Sequence, residues 1–105
     1  MKTIEQITQI AEGLGWSVDV NDSDIYFSQY TTAGQDFGFY VDKNKGIAEE
    51  VYDYYKNYDP SEEAILWCDS SGHGKNGAPY HLKDILADME EASAMVKTLY
   101  EAISG

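Results

Sequence analysis

The spacing of apolar residues changes along this 105-residue chain, and that change limits the folds open to it. Between residues 16 and 41 apolar and polar residues alternate, which is typical of strands with one buried face. After residue 44 the apolar residues recur at a period of about 3.6, which is typical of amphipathic helices. The sequence therefore predicts a small sheet followed by helices.

Three strands are predicted in the alternating region. Val18 and Val20 belong to the first strand, and the polar residues 21–24 form a turn into a second strand over residues 25–30. Another turn at residues 32–35 leads into the third strand. The result is an antiparallel meander, and the candidates for its buried face are Val18, Val20, Ile25, Phe27, Phe37 and Phe39.

One helix is predicted before the strands and three after them. Thr3 and Gln6 have the spacing of a capping box, so the first helix should cover residues 4–13. The second should cover residues 45–57. A third is predicted over residues 60–68, where Asp and Pro are suited to a helix start, although a strand over 63–68 is the alternative.

The longest apolar stripe follows a glycine-rich loop over residues 69–80. It begins at Leu82 and continues to Ile103, which predicts a long C-terminal helix. The predicted order is α-β-β-β-α-α-α, which is an α+β fold with a three-stranded antiparallel sheet and helices packed on one face. With 43% apolar and 13% aromatic residues, residues 1–105 have enough apolar material for a single compact domain.

The net charge of the chain indicates which kinds of partner it can bind. Nineteen acidic residues stand against seven lysines, no arginine is present, and the formal charge is −12. Such a field repels nucleic acid and attracts basic protein surfaces, so we expect no direct nucleic-acid binding and a cationic protein as partner. The alternative interpretation is that the charge serves solubility alone.

The expected location is the cytoplasm of a bacterial host cell. Cys68 is the only cysteine, which excludes an internal disulfide, and the first residues lack the apolar run of a signal peptide. No segment approaches the roughly 20 apolar residues that span a bilayer, so no membrane partner is expected. The oligomeric state is not indicated by the sequence.

Residues 68–81 contain the densest run of reactive side chains. A phosphate-binding loop would require Ser or Thr after Lys75, and a zinc site would require four ligands, whereas only Cys68, His73 and His81 are present. A Cys–His nucleophile pair is the third interpretation. We predict instead an ordered connection without catalytic residues, metal ligands or cofactor, whose His73, Lys75 and Asn76 contact a partner.

Acidic and tyrosine residues of the helices are the other predicted contacts. Asp84, Asp88 and Glu91 are spaced i, i+4 and i+7, so they should form one row of carboxylates on the last helix. Such a row resembles the charges of a nucleic-acid backbone. A solvated helix face is the alternative. The remaining predicted partner-binding residues are Glu49, Glu50, Tyr52, Asp53, Tyr55, Tyr58, Glu62 and Glu63.

Several segments together resemble a group of known proteins. They are residues 27–37, residues 58–63, Leu66 with Trp67, and residues 72–79. These segments resemble small acidic proteins encoded on prophages and integrative elements of gut bacteria. Some similarly small acidic proteins of mobile elements inhibit bacterial defence, notably type II-A anti-CRISPRs and anti-restriction proteins.

The resemblance implies a non-enzymatic inhibitor that occupies the cationic nucleic-acid-binding surface of a host defence nuclease, either a CRISPR-associated or a restriction enzyme. It carries no catalytic residues over to this chain. The alternative is an accessory protein-interaction module of a mobile element without a defence role. A third possibility is an enzyme or metal protein centred on Cys68, His73 and His81.

Overall fold

The computed structural model describes residues 2–69, 73–74 and 81–104. The described chain forms helices and strands in the order α-β-β-β-α-α-α, which confirms the predicted α+β fold. The elements are α1 (Ile4–Gly13), β1 (Ser17–Val20), β2 (Asp24–Tyr30), β3 (Asp36–Asp42), α2 (Ile47–Asn57), α3 (Pro60–Leu66) and α4 (Leu82–Ser104).

The three strands form an antiparallel sheet in the order β1-β2-β3, as predicted. Val18 lies opposite Phe27, and Phe27 lies opposite Phe39 on the next strand. Tyr26 lies opposite Tyr40 in the neighbouring row. Because successive side chains of a strand point to opposite faces, the first row belongs to an inner face and the second row to an outer face.

Trp16 lies at the centre of an aromatic core on the inner face. Its ring centroid is 6.3 Å from that of Phe27, 6.1 Å from Phe37 and 5.7 Å from Phe39. Helices α1 and α2 and the C-terminal half of α4 supply the apolar residues that complete this core. Aromatic rings bury more area than other side chains, so this cluster is the main source of hydrophobic stabilisation.

The helix starts are determined by local hydrogen bonds. The Gln6 N–H donates to Thr3 Oγ1 at 3.1 Å and the Thr3 N–H donates to Gln6 Oε1 at 2.8 Å, which is the predicted capping box of α1. The Ser61 N–H donates to Asp59 Oδ1 at 3.0 Å at the start of α3. The predicted start of each of these two helices is confirmed.

Two helix boundaries differ from the prediction. Helix α2 begins at Ile47 rather than residue 45, because the backbone of Gly46 is extended and cannot continue the helix. Helix α3 ends at Leu66, and Cys68 lies beyond it in an isolated bridge with Gly74 instead of in the helix. The alternative interpretation of this segment as a strand is wrong.

One apolar side chain is more exposed than predicted. Val20 was expected on the buried face, but its side chain is 43% exposed because it lies at the end of the edge strand β1. Leu66, in the last turn of α3, is 66% exposed. Helix α3 therefore packs through Ala64, which with Ile85 and Met89 of α4 forms a second, smaller core.

Candidate functional site

The acidic row predicted on α4 is not exposed along its length. Asp84 is exposed, Asp88 is only 5% exposed, and Glu91 is engaged by the turn between β2 and β3. Glu91 accepts one hydrogen bond from the Thr32 N–H at 2.7 Å and another from Thr32 Oγ1 at 2.6 Å. The three carboxyl groups lie on one face of α4, as predicted, and line one cleft with Thr32 and Ala33, but Asp88 is buried in it and Glu91 is bonded to the β2–β3 turn.

The bonds from Thr32 lower the pKa of Glu91 below its ordinary value of 4.5. Stability gained from such a carboxylate is present above the ordinary pKa and is lost as pH falls through the lower folded-state pKa. We expect Glu91→Gln to reduce the free energy of unfolding by about 1 kcal/mol at neutral pH, because hydrogen bonds to a charged acceptor are stronger. Urea denaturation at several pH values measures this difference. It should vanish in strong acid, and a difference independent of pH would contradict the assignment.

Asp88 is a buried acid with an incomplete set of hydrogen bonds. Within the described residues its Oδ2 atom has no hydrogen-bond partner. We expect Asp88→Ala to raise the free energy of unfolding by about 1 kcal/mol, because it removes an unsatisfied buried carboxylate and introduces a better helix former. Asp84→Ala is the control, with an expected effect of about zero, because its gain in helix propensity is offset by a lost interaction with the helix dipole. A lower stability of Asp88→Ala would contradict this account.

The tyrosines of α2 contribute mainly to the core. Tyr54 stacks on Phe39 with ring centroids 4.4 Å apart, and Tyr58 packs edge-on against Phe37. Burial, followed by the nearby charge of Glu63, raises the pKa of Tyr54 to about 12 and raises the pKa of Tyr58 well above its ordinary range. These hydroxyls therefore stay protonated at neutral pH.

The three tyrosines predicted to bind a partner have different environments. Tyr58 is half-buried and its hydroxyl donates to Met89 Sδ at 3.3 Å. Tyr55 is half-buried against the main core. Tyr52 is 44% exposed and packs against Tyr100, with ring centroids 5.2 Å apart. Of the three, Tyr52 is the most exposed and therefore the most accessible to a partner.

A shallow cleft between α2 and α3 brings several predicted residues together. Its volume is about 340 Å³, and its lining residues are Glu50, Asp53, Tyr54, Asn57, Tyr58 and Glu63. Glu62 is exposed on α3 and does not line it. Glu49 is exposed at the start of α2, where its carboxylate folds back over Gly46. The cleft is therefore a site of three carboxylates and two tyrosines.

The structure describes only part of the loop over residues 69–80, which was predicted to contact a partner. His73 pairs with His81 in an isolated bridge, and its backbone N–H donates to Asp69 Oδ1 at 3.1 Å. Lys75 and Asn76 lie outside the described residues. The Cys68 thiol donates to the backbone carbonyl of Ala64 at 3.3 Å, so it is directed towards α3. Within the described residues, no group of three or more His, Cys, Asp or Glu side chains is placed to hold a metal ion.

A second acidic surface, the outer sheet face, is not among the sites predicted from the sequence. Helices α1 and α2 pack with the inner-face core, and no described helix covers the opposite side. Tyr30 is 70% exposed and Tyr40 is 63% exposed on that side. The strand positions that point outward are Ser17, Asp19, Asp24, Tyr26, Ser28, Tyr30, Asp36, Gly38, Tyr40 and Asp42. They include three tyrosines and four aspartates, and no lysine.

The tyrosines of the outer sheet face are arranged in contact with one another. The rings of Tyr26 and Tyr40 lie 4.4 Å apart between centroids, at an angle of 35°. The Tyr26 hydroxyl lies over Gly38, in space that any side chain at that position would occupy. Burial, with Asp36 and Tyr40 nearby, raises the pKa of Tyr26. The glycine thus lets an aromatic ring lie flat on the sheet.

The two acidic surfaces meet along β3, the edge strand beside α2. Glu50 of the α2–α3 cleft accepts a hydrogen bond from the Asp42 N–H at 3.1 Å, and Asp42 belongs to the outer sheet face. The sequence does contain a signal for the outer sheet face. In the alternating region that predicts the inner face, the residues between the inner-face positions point to the outer face. The alternation does not show that α1, α2 and α4 all contribute to the core on the inner face.

No protein-family model, curated protein or solved structure shows significant similarity to this chain. The class of protein to which this chain belongs is therefore described from its own fold and surface. It is an acidic α+β protein with one sheet face covered by helices and the other lined by tyrosine and aspartate. Among the described helices, none combines the length and apolar character needed to cross a membrane.

Proposed function

We propose that this chain is a non-enzymatic binding protein that docks its outer sheet face on a cationic protein surface. The observation that carries the proposal is the composition of that face, with four aspartates, three tyrosines and no lysine. Protein interfaces are enriched in tyrosine, and a rim of one charge gives specificity and a fast encounter with a surface of opposite charge.

The composition of the outer sheet face favours some binding partners over others. A nucleic acid is repelled by the aspartates and by the net charge of −12. A second copy of this chain would place aspartates against aspartates, so self-association through this face is disfavoured. A partner rich in arginine suits both the tyrosines and the aspartates of this face, because guanidinium groups stack on tyrosine rings and pair with carboxylates.

The α2–α3 cleft extends this surface. Its Glu50, Asp53 and Glu63 add three carboxylates beside the β3 edge, and the hydrogen bond from Asp42 joins the two regions. A partner that contacts both regions would meet an acidic surface that turns from the sheet onto the helices. Surfaces built to hold a nucleic-acid backbone carry the matching positive charge.

Within this class, the proposed activity is inhibition of a host defence nuclease by occupation of its nucleic-acid-binding surface. The heteroduplex channel of an RNA-guided nuclease is strongly positive, and restriction enzymes also bind phosphate backbones, so both would attract an acidic competitor. The proposed source of the chain is a prophage or integrative element, where such an inhibitor would act. The proposed setting is the bacterial cytoplasm during infection or transfer of a mobile element.

Cleavage assays test this proposal directly. The purified chain is incubated with a guide-loaded type II-A nuclease, and in parallel with a restriction enzyme, before target DNA is added. Inhibition should be strong at about 0.05 M salt and weaker at about 0.3 M salt, because the association is electrostatic. Full cleavage by both enzymes at low salt with excess protein would count against a nuclease target. Addition of the chain after DNA has bound should have less effect than addition before.

A further inference from the structure

A cleft of about 580 Å³ lies on the helical side of the molecule, where α1 and α2 begin and α4 ends. Its apolar lining consists of Ile4, Ile7, Ile47, Ala48 and Ile103, with the ring of Tyr100 beside them. Sites for small ligands have volumes of about 300–1,000 Å³ and a mostly apolar lining with a few polar groups. This cleft matches that description in size and has an apolar floor, while half of its lining residues, including Thr3 and Ser104, are polar or charged.

The charge of the cleft is opposite to that of the whole chain. Three lysines line it, Lys2, Lys43 and Lys45, against a single acid, Glu49. The chain as a whole has nineteen acidic residues and seven lysines. Three of the six lysines in the described residues are thus gathered around one apolar cleft. An anionic group is attracted here, whereas the rest of the surface repels it.

Local structure keeps this positive charge at the rim. The Lys43 ammonium donates to the backbone carbonyl of Asn21 at 3.2 Å, which holds the side chain in place without neutralising its charge. The first turn of α2 also lines the cleft, and Gly46 gives that helix no side-chain cap. The N–H groups of a helix start carry partial positive charge, but the Glu49 carboxylate that folds back over Gly46 offsets it, so the positive charge of the cleft comes from the lysines.

We propose that this cleft binds an amphiphilic anion with one apolar chain and one carboxylate head, of the size of a medium-chain fatty acid. The apolar chain would contact the isoleucines, and the carboxylate would pair with Lys43 and Lys45 at the rim. A fully polar anion would leave the apolar floor exposed to water, and an apolar cation would be repelled by the lysines. The inference is independent of the proposed function, because it concerns another side of the molecule and the opposite sign of charge.

The test uses decanoate below its micelle concentration as the probe, followed by two-dimensional ¹H–¹⁵N NMR. We expect saturable shifts of amides at the starts of α1 and α2 and at the end of α4. Decyltrimethylammonium has a chain of the same length with the opposite head charge, and acetate has the head without the chain. Both should bind at least about tenfold more weakly than decanoate, because each lacks one of the two interactions.

Substitutions at the rim test the role of charge. Lys45→Gln should weaken decanoate binding about tenfold through the loss of a charged hydrogen bond. Glu49→Gln should strengthen binding, because it removes the only acid in the lining. Lys56→Gln and Lys97→Gln, which lie outside the cleft, are controls that should bind decanoate as the parent does. Thermal unfolding of each variant confirms that it is folded, and saturating decanoate should raise the melting temperature of the parent.

Three results would overturn the proposal. The first is equal binding of decanoate and decyltrimethylammonium, and the second is an unchanged affinity of the folded Lys45→Gln variant. The third is that the protein sediments with anionic phospholipid vesicles but does not bind decanoate. This result would show that the cleft recognises a membrane surface instead of a single amphiphile. Localised, saturable decanoate shifts without vesicle binding would support the proposal.

Discussion

Charge reversal on the outer sheet face should weaken binding to a cationic partner at least about a hundredfold, since each like-charge pair across an interface costs several kcal/mol. The variant is Asp19→Lys with Asp36→Lys. Both side chains are exposed, and they lie on opposite edge strands of the face. The pair therefore tests the whole width of the sheet. Because both positions point away from the core, the variant should fold normally.

The measurement uses the inhibited nuclease and, independently of its identity, a nona-arginine peptide at about 0.15 M salt, where charges beyond about 8 Å are screened. Amide shifts caused by the peptide should lie in β1, β2 and β3 in the parent and disappear in the variant. Glu12→Lys with Glu101→Lys is the matched control, because it makes the same change in net charge at exposed positions of α1 and α4. Equal loss of binding in both variants would mean that net charge alone is recognised and would reject the outer sheet face as the site.

The second large effect is expected on stability. Phe39→Ala should reduce the free energy of unfolding by about 3–5 kcal/mol, which is a large share of the roughly 5–15 kcal/mol typical of a folded domain. Phe39 is 3% exposed. Its ring stacks on Phe27 and Tyr54 and meets the edge of Trp16, so truncation leaves a cavity between the sheet and the helices.

Tyr40→Ala is the control for this substitution because it removes the neighbouring aromatic ring of the same strand. Tyr40 is 63% exposed and contacts Tyr26 across the outer face. Its loss should reduce the free energy of unfolding by about 1 kcal/mol at most, which is the range of cross-strand pairs. Urea denaturation of both variants measures the contrast. Similar losses for the two would contradict the assignment of inner and outer faces.

The order of the elements follows from local patterns, and so does most of their extent. The capping box of Thr3 and Gln6 and the cap at Asp59 both involve residues within three positions of each other, and both form as predicted. The alternation in residues 16–41 predicts which side chains face the core, because a slip of one residue would turn every apolar side chain to water. The errors lie at the ends, at Val20 and around Leu66, where neighbouring elements decide exposure.

The candidate site was predicted less completely than the fold. Glu50, Asp53 and Glu63 were predicted from the sequence as partner contacts, and the structure places them in one cleft. Tyr58, also predicted as a partner contact, lines the same cleft, while its ring packs against Phe37. A helical period alone does not show which of several adjacent tyrosines faces the core, since that depends on the direction from which the sheet approaches the helix.

The sequence by itself determined the elements, their order and the two faces of the sheet, because these depend on the spacing of residues that are close along the chain. Only the tertiary structure decided which charged groups remain at the surface. Asp88 and Glu91 lie on the predicted helix face, but Asp88 is buried there and Glu91 is hydrogen-bonded to a turn 59 residues away in sequence. The tyrosines and aspartates of the outer sheet face stay exposed because the helices gather on the inner face. Burial is a property of contacts between distant segments, and local spacing does not contain it.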